Sequence, residues 1–160
     1  VYHMKKYIIL TLLALLCYGV QAKDKNEFKY EVVSAGVGSE GSELIKVFSY
    51  AKNQKKAIEI GKANAVHAVL FKGIPGSNGN YTKPAMVKMQ EKANNEKFFD
   101  NFFKTGQYLQ FVTVSNDGTI DPEDMLRVGG EYKIGIIYSV SKDNLRKYLI
   151  DNGIIKSLGF

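Results

Sequence analysis

The stretch ELIKVFSYAKNQKKAIEIGKANAVHAVLF, residues 43–71, changes from the pattern of a strand to the pattern of a helix. Its first part, 43–51, carries the β-branched and aromatic residues that strands favour. Asn53 then offers the side-chain oxygen of a helix N-cap, and a helical pattern follows over 54–71. Small residues recur along this predicted helix at spacings of four and three, at Ala57, Gly61, Ala65 and Ala68. Such a stripe lets a helix lie close on a sheet or on another helix.

The segments on either side continue the succession of strands and helices. FKYEVVSAGV, residues 28–37, alternates as a strand and predicts a hairpin with residues 43–51. The other predicted elements are a short strand at 85–90, a helix at 94–106, a strand at 108–115, a short helix starting at 121–124, a strand at 131–141 and a helix at 142–153. The order β-β-α-(β)-α-β-β-α predicts an α+β fold. In it, a mostly antiparallel sheet is covered by the long small-residue-striped helix and one or two further helices.

The N-terminus has the three-part layout of a secretory signal peptide. Met4 precedes two lysines, an uncharged apolar run covers 7–20, and small residues stand at the −3 and −1 positions of a cleavage site after Ala22. As a helix the run spans about 21 Å, short of the ~30 Å hydrocarbon core of a bilayer. We therefore expect a signal peptide at residues 1–22 and a periplasmic or secreted protein. Residues 1–3 are interpreted as lying upstream of the true start.

The single cysteine, Cys17, lies within this predicted signal. A lipoprotein signal places a small residue before the acylated cysteine, whereas Leu16 stands there, so lipoprotein anchoring is the less favoured alternative. Cleavage after Ala22 would leave residues 23–160 as a single α+β domain without a cysteine for a disulfide, a thiolate nucleophile or a metal site. Contact with a membrane is then expected only transiently, through the signal peptide.

The charge balance does not indicate a nucleic-acid partner. Loss of residues 1–22 lowers the formal net charge from +6 to +4. Lysine and glutamate are interspersed, as in KNQKKAIEIGK at 52–62, and do not form a basic patch. We interpret these charges as the solvated faces of helices and expect no nucleic-acid binding.

The loop at 73–84 follows the striped helix and, together with an edge of the sheet, is the candidate contact surface. Phosphate-binding loops precede a helix and end in a lysine–hydroxyl pair, whereas this loop lacks the pair and follows a helix C-terminus, whose carbonyls repel phosphate. Gly73 is predicted as a left-handed cap, with Pro75 preventing continuation of the helix. The exposed residues predicted for partner contact are Ile74, Ser77, Asn78, Asn80 and Tyr81.

The sequence presents no recognisable catalytic, cofactor-binding or metal-binding set. His67 is the only histidine of the expected mature chain, and it is interpreted as a packed or half-exposed structural residue because no nucleophile motif accompanies it. The acidic stretch at 115–124 lacks the leading aspartate of an EF-hand loop and fits a turn followed by a helix cap. We accordingly predict no catalytic residue, no cofactor and no metal ligand.

The hairpin at 28–51 and the small-residue stripe resemble small exported envelope proteins of Gram-negative bacteria, in particular the small-lipoprotein and flagellar-assembly-protein-T N-domain group. The resemblance implies an envelope location. Because the sequence combines an export signal with no recognisable catalytic set, the function we expect is a non-enzymatic module that binds a protein or another envelope component. The sequence leaves two alternatives open. One is an envelope hydrolase that uses carboxylates, for example Glu31, Glu43 or Asp117. The other is a binder of glycans or small ligands lined by Tyr81, Tyr108 and Tyr138.

Overall fold

The computed structural model describes residues 28–39, 41–76 and 81–157, and the predicted signal peptide lies outside these ranges. The predicted α+β class is confirmed. Within the described residues, a curled antiparallel sheet of five strands combines with four α-helices. The strands are β1 Tyr30–Val37, β2 Glu43–Ala51, β3 Val112–Val114, β4 Met125–Val128 and β5 Glu131–Val140. The helices are α1 Gln54–His67, α2 Met89–Asn94, α3 Glu96–Lys104 and α4 Lys142–Asp151.

The sheet is organised around β5, its longest strand. The strand β2 pairs with β5 along one side, and β1 pairs with β2 as the predicted hairpin. On the other side of β5, the two short strands occupy opposite ends: β3 pairs with residues 138–140 and β4 with residues 131–134. Alternate residues of β2 are buried, because one face of the sheet is covered by α1 and the other is partly open to solvent.

Helix α1 packs on the sheet through its small residues, as the sequence predicts. The Asn53 side chain accepts a hydrogen bond from the Lys56 amide at 2.9 Å and caps the helix. Each member of the stripe is buried. At Gly61, an added Cβ would lie 2.7 Å from Cζ of Tyr138 on β5, so only glycine permits the observed distance between the helix and the sheet.

The striped helix ends in a wider π turn, Ala68–Lys72, followed by Gly73. The segment predicted as a strand at 85–90 crosses this turn. The Met86 and Val87 amides donate to the Val69 and Leu70 carbonyls at 3.0 and 2.9 Å. That prediction is wrong, because these amides satisfy free carbonyls at a helix end and do not join the sheet. Helix α2 begins immediately afterwards.

Two further predictions need correction in the C-terminal half. The segment 108–115 reads as a strand, yet Gln107–Phe111 forms a 3₁₀ turn and only β3 is extended. The three-residue repeat of that turn brings Tyr108 and Phe111 to the same side, where both contact the ring of Phe102. Burial of these rings outweighs the strand preference of the segment.

Strand β4 was not predicted, because all four of its residues are exposed and show no alternating burial. The pair Gly129–Gly130, between Val128 and Glu131, joins it to β5 as a two-residue hairpin turn, and that pair is the sequence signal that indicates such a hairpin. The predicted helix at 94–106 is present as α3, Glu96–Lys104, whereas α2, Met89–Asn94, precedes it and was not predicted. The short helix predicted from Asp121 is present as a single 3₁₀ turn, Pro122–Asp124.

A layer of aromatic rings joins α3 and α4 to the body of the domain. The rings of Phe98 and Phe102, four residues apart on α3, stack at 6.2 Å, and both contact Tyr148 of α4. Leu145 and Leu149 of α4 are fully buried beneath them. Among the residues that the structure describes, the helices are too short or too polar to span a bilayer.

Candidate functional site

The loop predicted for partner contact leaves the domain through a narrow neck. Ile74 and Lys83 form an antiparallel bridge, with reciprocal amide-to-carbonyl hydrogen bonds of 2.8 and 2.9 Å. At Gly73, an added Cβ would lie 2.6 Å from the Lys83 carbonyl oxygen. The two ends of the loop are therefore in direct contact, and the neck tolerates only glycine at position 73.

Gly73 does not adopt the predicted left-handed cap conformation. Its φ of 77° is positive, but its ψ of 172° places it in an extended region that is essentially restricted to glycine. The chain turns away from the helix axis at this point. Its amide closes the π turn by donating to the Ala68 carbonyl at 2.8 Å. Pro75 follows in the exposed part of the loop, so the helix ends where the sequence predicts, although by a different backbone geometry.

The predicted contact residues separate into three groups. Tyr81 is 90% exposed and is the most exposed large apolar side chain in the described part of the chain. Ile74 is only 3% exposed, so its prediction as an exposed contact residue is wrong: its side chain belongs to the core and anchors the neck. Ser77, Asn78 and Asn80 lie outside the described residues.

A buried carboxylate fixes the neck to the sheet. Glu43, the first residue of β2, has a side chain only 3% exposed, and it forms an ion pair with Lys83 of the neck. Its second oxygen lies 4.0 Å from Nζ of Lys142, at the start of α4. Burial of a carboxylate is unfavourable unless partners compensate it, and here the compensating lysines join three separate segments of the chain.

The sequence offered a signal for this role. Glu43 occupies an inward position in the strand alternation of residues 43–51, where a charged side chain needs a partner. The identity of the partner was not predictable, because Lys83 is forty positions away in the chain.

His67 lies in an aromatic pocket, as predicted for a structural histidine. Its ring stacks on Phe28 at 3.9 Å and also contacts Phe71 and Phe103, while the Tyr30 hydroxyl hydrogen-bonds to Nδ1 at 2.8 Å. Burial, together with nearby lysines, lowers the pKa of His67 from 6.5 to about 4. Burial also raises the pKa of Tyr30, so a neutral phenol faces a neutral imidazole at pH 7.

The carboxylates considered for hydrolysis do not meet. Glu31 lies on the open face of the sheet, 2.6 Å from Nζ of Lys133, and that hydrogen bond lowers its pKa. Glu43 is buried at the other end of β2. Asp117 is exposed in a turn near the start of α1. Since these three side chains occupy separate places, they do not form the facing pair that glycoside hydrolysis requires.

The tyrosines considered as a stacking surface are also dispersed. Tyr138 is fully buried against α1, and Tyr81 is almost fully exposed on the loop. Only Tyr108, whose pKa burial raises, borders a cleft, so the three residues do not form one platform.

The cleft beside α1 has a volume of about 450 Å³. Aromatic and acidic side chains contribute to its wall: Phe28, Tyr50, Glu59, Phe103, Tyr108 and Glu131. The wall is partly self-paired, because Lys56 reaches Glu59 at 3.4 Å and Lys29 lies over the Tyr50 ring at 4.5 Å. A cleft of this volume accommodates a small ligand.

The acidic stretch around 115–124 forms structural turns. Asp124 is 8% exposed, and its carboxylate lies 2.6 Å from Nζ of Lys46 on the open face of the sheet. Asn116 and Asp117 both have positive φ in a tight turn. Within the described ranges, no group of three histidine, cysteine or acidic side chains is arranged to hold a metal ion.

Comparisons with known proteins identify no relative of this chain: no family model, no curated protein and no solved structure matches it.

Proposed function

We propose that this protein is an exported, non-enzymatic α+β module that binds a protein of the cell envelope through the loop at 73–84. The observation that carries the proposal is the position of Tyr81, 90% exposed and two residues from the hydrogen-bonded neck. An exposed tyrosine combines a large apolar surface with a hydrogen-bonding group, and such residues are enriched where proteins bind each other. The signal-like N-terminus and the resemblance to small exported envelope proteins support an envelope location.

The neck explains how an exposed loop can serve recognition. A flexible loop loses conformational entropy when it binds, which weakens the interaction. The bridge between Ile74 and Lys83, together with the ion pair to Glu43, fixes both ends of the loop before any partner arrives. Part of this loss of conformational entropy therefore occurs already in the free protein.

The exposed edge of the sheet is a separate surface. Strand β4 presents Met125, Leu126 and Val128 to solvent, but it pairs with residues 131–134 of β5, whereas Glu43 at the neck pairs with Val140. The separation of seven positions from Lys133 to Val140 corresponds to about 23 Å along a strand. Because of this distance, one compact partner site does not need to include both the loop at 73–84 and strand β4.

Site-specific photo-crosslinking in intact cells tests the proposal. A photoreactive amino acid replaces Tyr81 in one variant and Leu126, on the distant edge strand, in the control. We expect a discrete crosslinked protein from position 81 in the envelope fraction and none from position 126. Recovery of the position-81 variant only as a free monomer would contradict the proposal, as would retention of the protein in the cytoplasm.

A small-ligand binder is the second candidate, and the cleft beside α1 is the observation that favours it. The ligand would lie against Tyr108 and Phe103, with Glu131 at the rim. A thermal-shift screen of envelope sugars and peptides, repeated with Tyr108→Ala, tests this candidate. It predicts a shift for one ligand class that the variant loses; an unchanged melting temperature across the screen would remove it.

A further inference from the structure

Three cationic side chains and a single carboxylate line one small cavity beside the loop neck. Lys83, Lys142 and Arg146 border a small cavity together with Glu43. Glu43 pairs with Lys83 and more distantly with Lys142. Within the described part of the chain, Arg146 has no ion-pair partner at 4 Å or less. The cluster therefore carries a surplus of positive charge, most of it on Lys142 and Arg146.

This arrangement is unfavourable for the isolated domain. Lys142 and Arg146 are four residues apart on α4, so they face the same side of the helix, and like charges at this spacing destabilise it. Lys142 lies at the N-terminal end of α4, where the helix dipole disfavours a cation. A second anion at this point would relieve both effects.

The size of the cavity limits what can enter it. Its volume is about 30 Å³, room for little more than one or two water-sized groups. Val69, Ile74, Pro84 and Met86 supply its apolar walls. A space of this size admits one oxygen of an anionic group, and Arg146, which lines it, carries the forked donors that pair with a planar carboxylate.

We infer that the recess between Lys83, Lys142 and Arg146 binds an aspartate or glutamate side chain from an acidic segment of the partner protein. This inference rests on the proposed function, since it specifies the chemistry of the partner that the loop contacts. Tyr81 is two residues from Lys83 in the chain, and Lys83 also lines the recess, so one extended segment can reach both.

Nuclear magnetic resonance with ¹⁵N-labelled protein tests the recess directly. The probe is a short synthetic peptide of alternating glutamate and glycine, and the same peptide with glutamine is its control. We expect saturable shifts of the Arg146 Nε–H and Lys83 amide signals with the glutamate peptide only. The variant Arg146→Gln should bind about fivefold to tenfold more weakly. Arg127→Gln is the matched control, because Arg127 is the only other arginine in the sequence and lies on the distant strand β4.

Several results would overturn the inference. These are the absence of shifts at the recess, an equal effect of Arg127→Gln, and equal binding of inorganic phosphate at the same signals. A melting temperature of Arg146→Gln close to that of the wild type excludes unfolding as the cause of a loss. If that variant unfolds, Lys142→Gln replaces it, with the same expected loss.

Crosslinking separates this inference from the proposed function. Crosslinking from position 81, carried out in the Arg146→Gln variant, should give about fivefold less product than in the wild-type background. An undiminished yield would show that the partner contact stands while the acidic-segment inference fails. Peptide binding at the recess without any crosslink at position 81 in the wild-type background would show that the recess binds carboxylates while the proposed partner contact of the loop fails.

Discussion

Gly61 of α1 lies directly against the side chain of Tyr138 on β5. The backbone of the helix approaches the phenol so closely that a Cβ at position 61 would overlap the hydroxyl oxygen and lie 2.7 Å from Cζ. The Tyr138 hydroxyl in turn donates to the Ala57 and Ile58 carbonyls at 3.4 and 3.3 Å. The distance between the helix and the sheet is thus set by one glycine and one tyrosine.

We expect Gly61→Ala to destabilise the protein by about 1 to 3 kcal/mol, although alanine is the better helix former by about 1 kcal/mol. The overlap with Tyr138 forces α1 away from the sheet or moves a fully buried ring. Urea denaturation measures the change in the free energy of unfolding. Gly130→Ala is the control, because an added Cβ there meets no atom within 4 Å. Equal stability of Gly61→Ala and the wild type would contradict this account of the packing.

Asn64 of α1 and Ser49 of β2, which share a buried hydrogen bond, should be energetically coupled. The Asn64 amide donates to the Ser49 hydroxyl at 2.9 Å, and both residues are almost fully buried. Each single change to alanine should cost about 1 to 2 kcal/mol. The double variant should cost about 1 kcal/mol less than the sum, because each single variant leaves a polar group unpaired. Strict additivity in denaturation experiments would show that the bond contributes nothing of its own.

Neutralising Glu43 should loosen the loop neck before it unfolds the domain. In Glu43→Gln the ion pair with Lys83 is lost, and because the lysines are 41% exposed and can be rehydrated, we expect a modest cost of about 1 to 2 kcal/mol. Hydrogen exchange should become faster at the Ile74 and Lys83 amides than at core amides of β5. The control Glu59→Gln removes an exposed ion pair on α1 and should leave these rates unchanged. Uniform acceleration throughout the domain would argue against a local role for Glu43.

The partly buried His67 predicts a loss of stability in mild acid. Its pKa is about 4 in the folded protein and close to 6.5 in the unfolded chain, so between these values the unfolded state binds more protons. The free energy of unfolding should therefore fall as the pH decreases from 6.5 to 4, by about 2 kcal/mol after allowance for partial exposure of the ring. His67→Gln should be less stable at pH 7 but lack this slope. A wild-type profile with the same slope as the variant would rule out His67 as the titrating group.

The sequence predicts the first half of the fold closely and the second half less well. The hairpin and α1 follow from local patterns: alternation in β1 and β2, a cap at Asn53 and the small-residue stripe. Between residues 85 and 128 the local preferences are misleading. Two segments with strand-like sequences do not form strands. The segment at 85–90 crosses the π turn, because the carbonyls of Val69 and Leu70 need donors. Gln107–Phe111 forms a 3₁₀ turn, because the rings around Phe102 need partners. Those needs arise only after the chain has folded.

The candidate site shows the same division. The sequence by itself determined the α+β class, the end of the long helix before Pro75 and the use of a glycine, Gly73, at that end. These features depend on periodicity and on backbone chemistry. Only the tertiary structure decided that Ile74 is buried, that Tyr81 remains exposed, and that Glu43 holds Lys83. A buried charge requires a partner, but which one it meets depends on how segments distant in the chain are brought together.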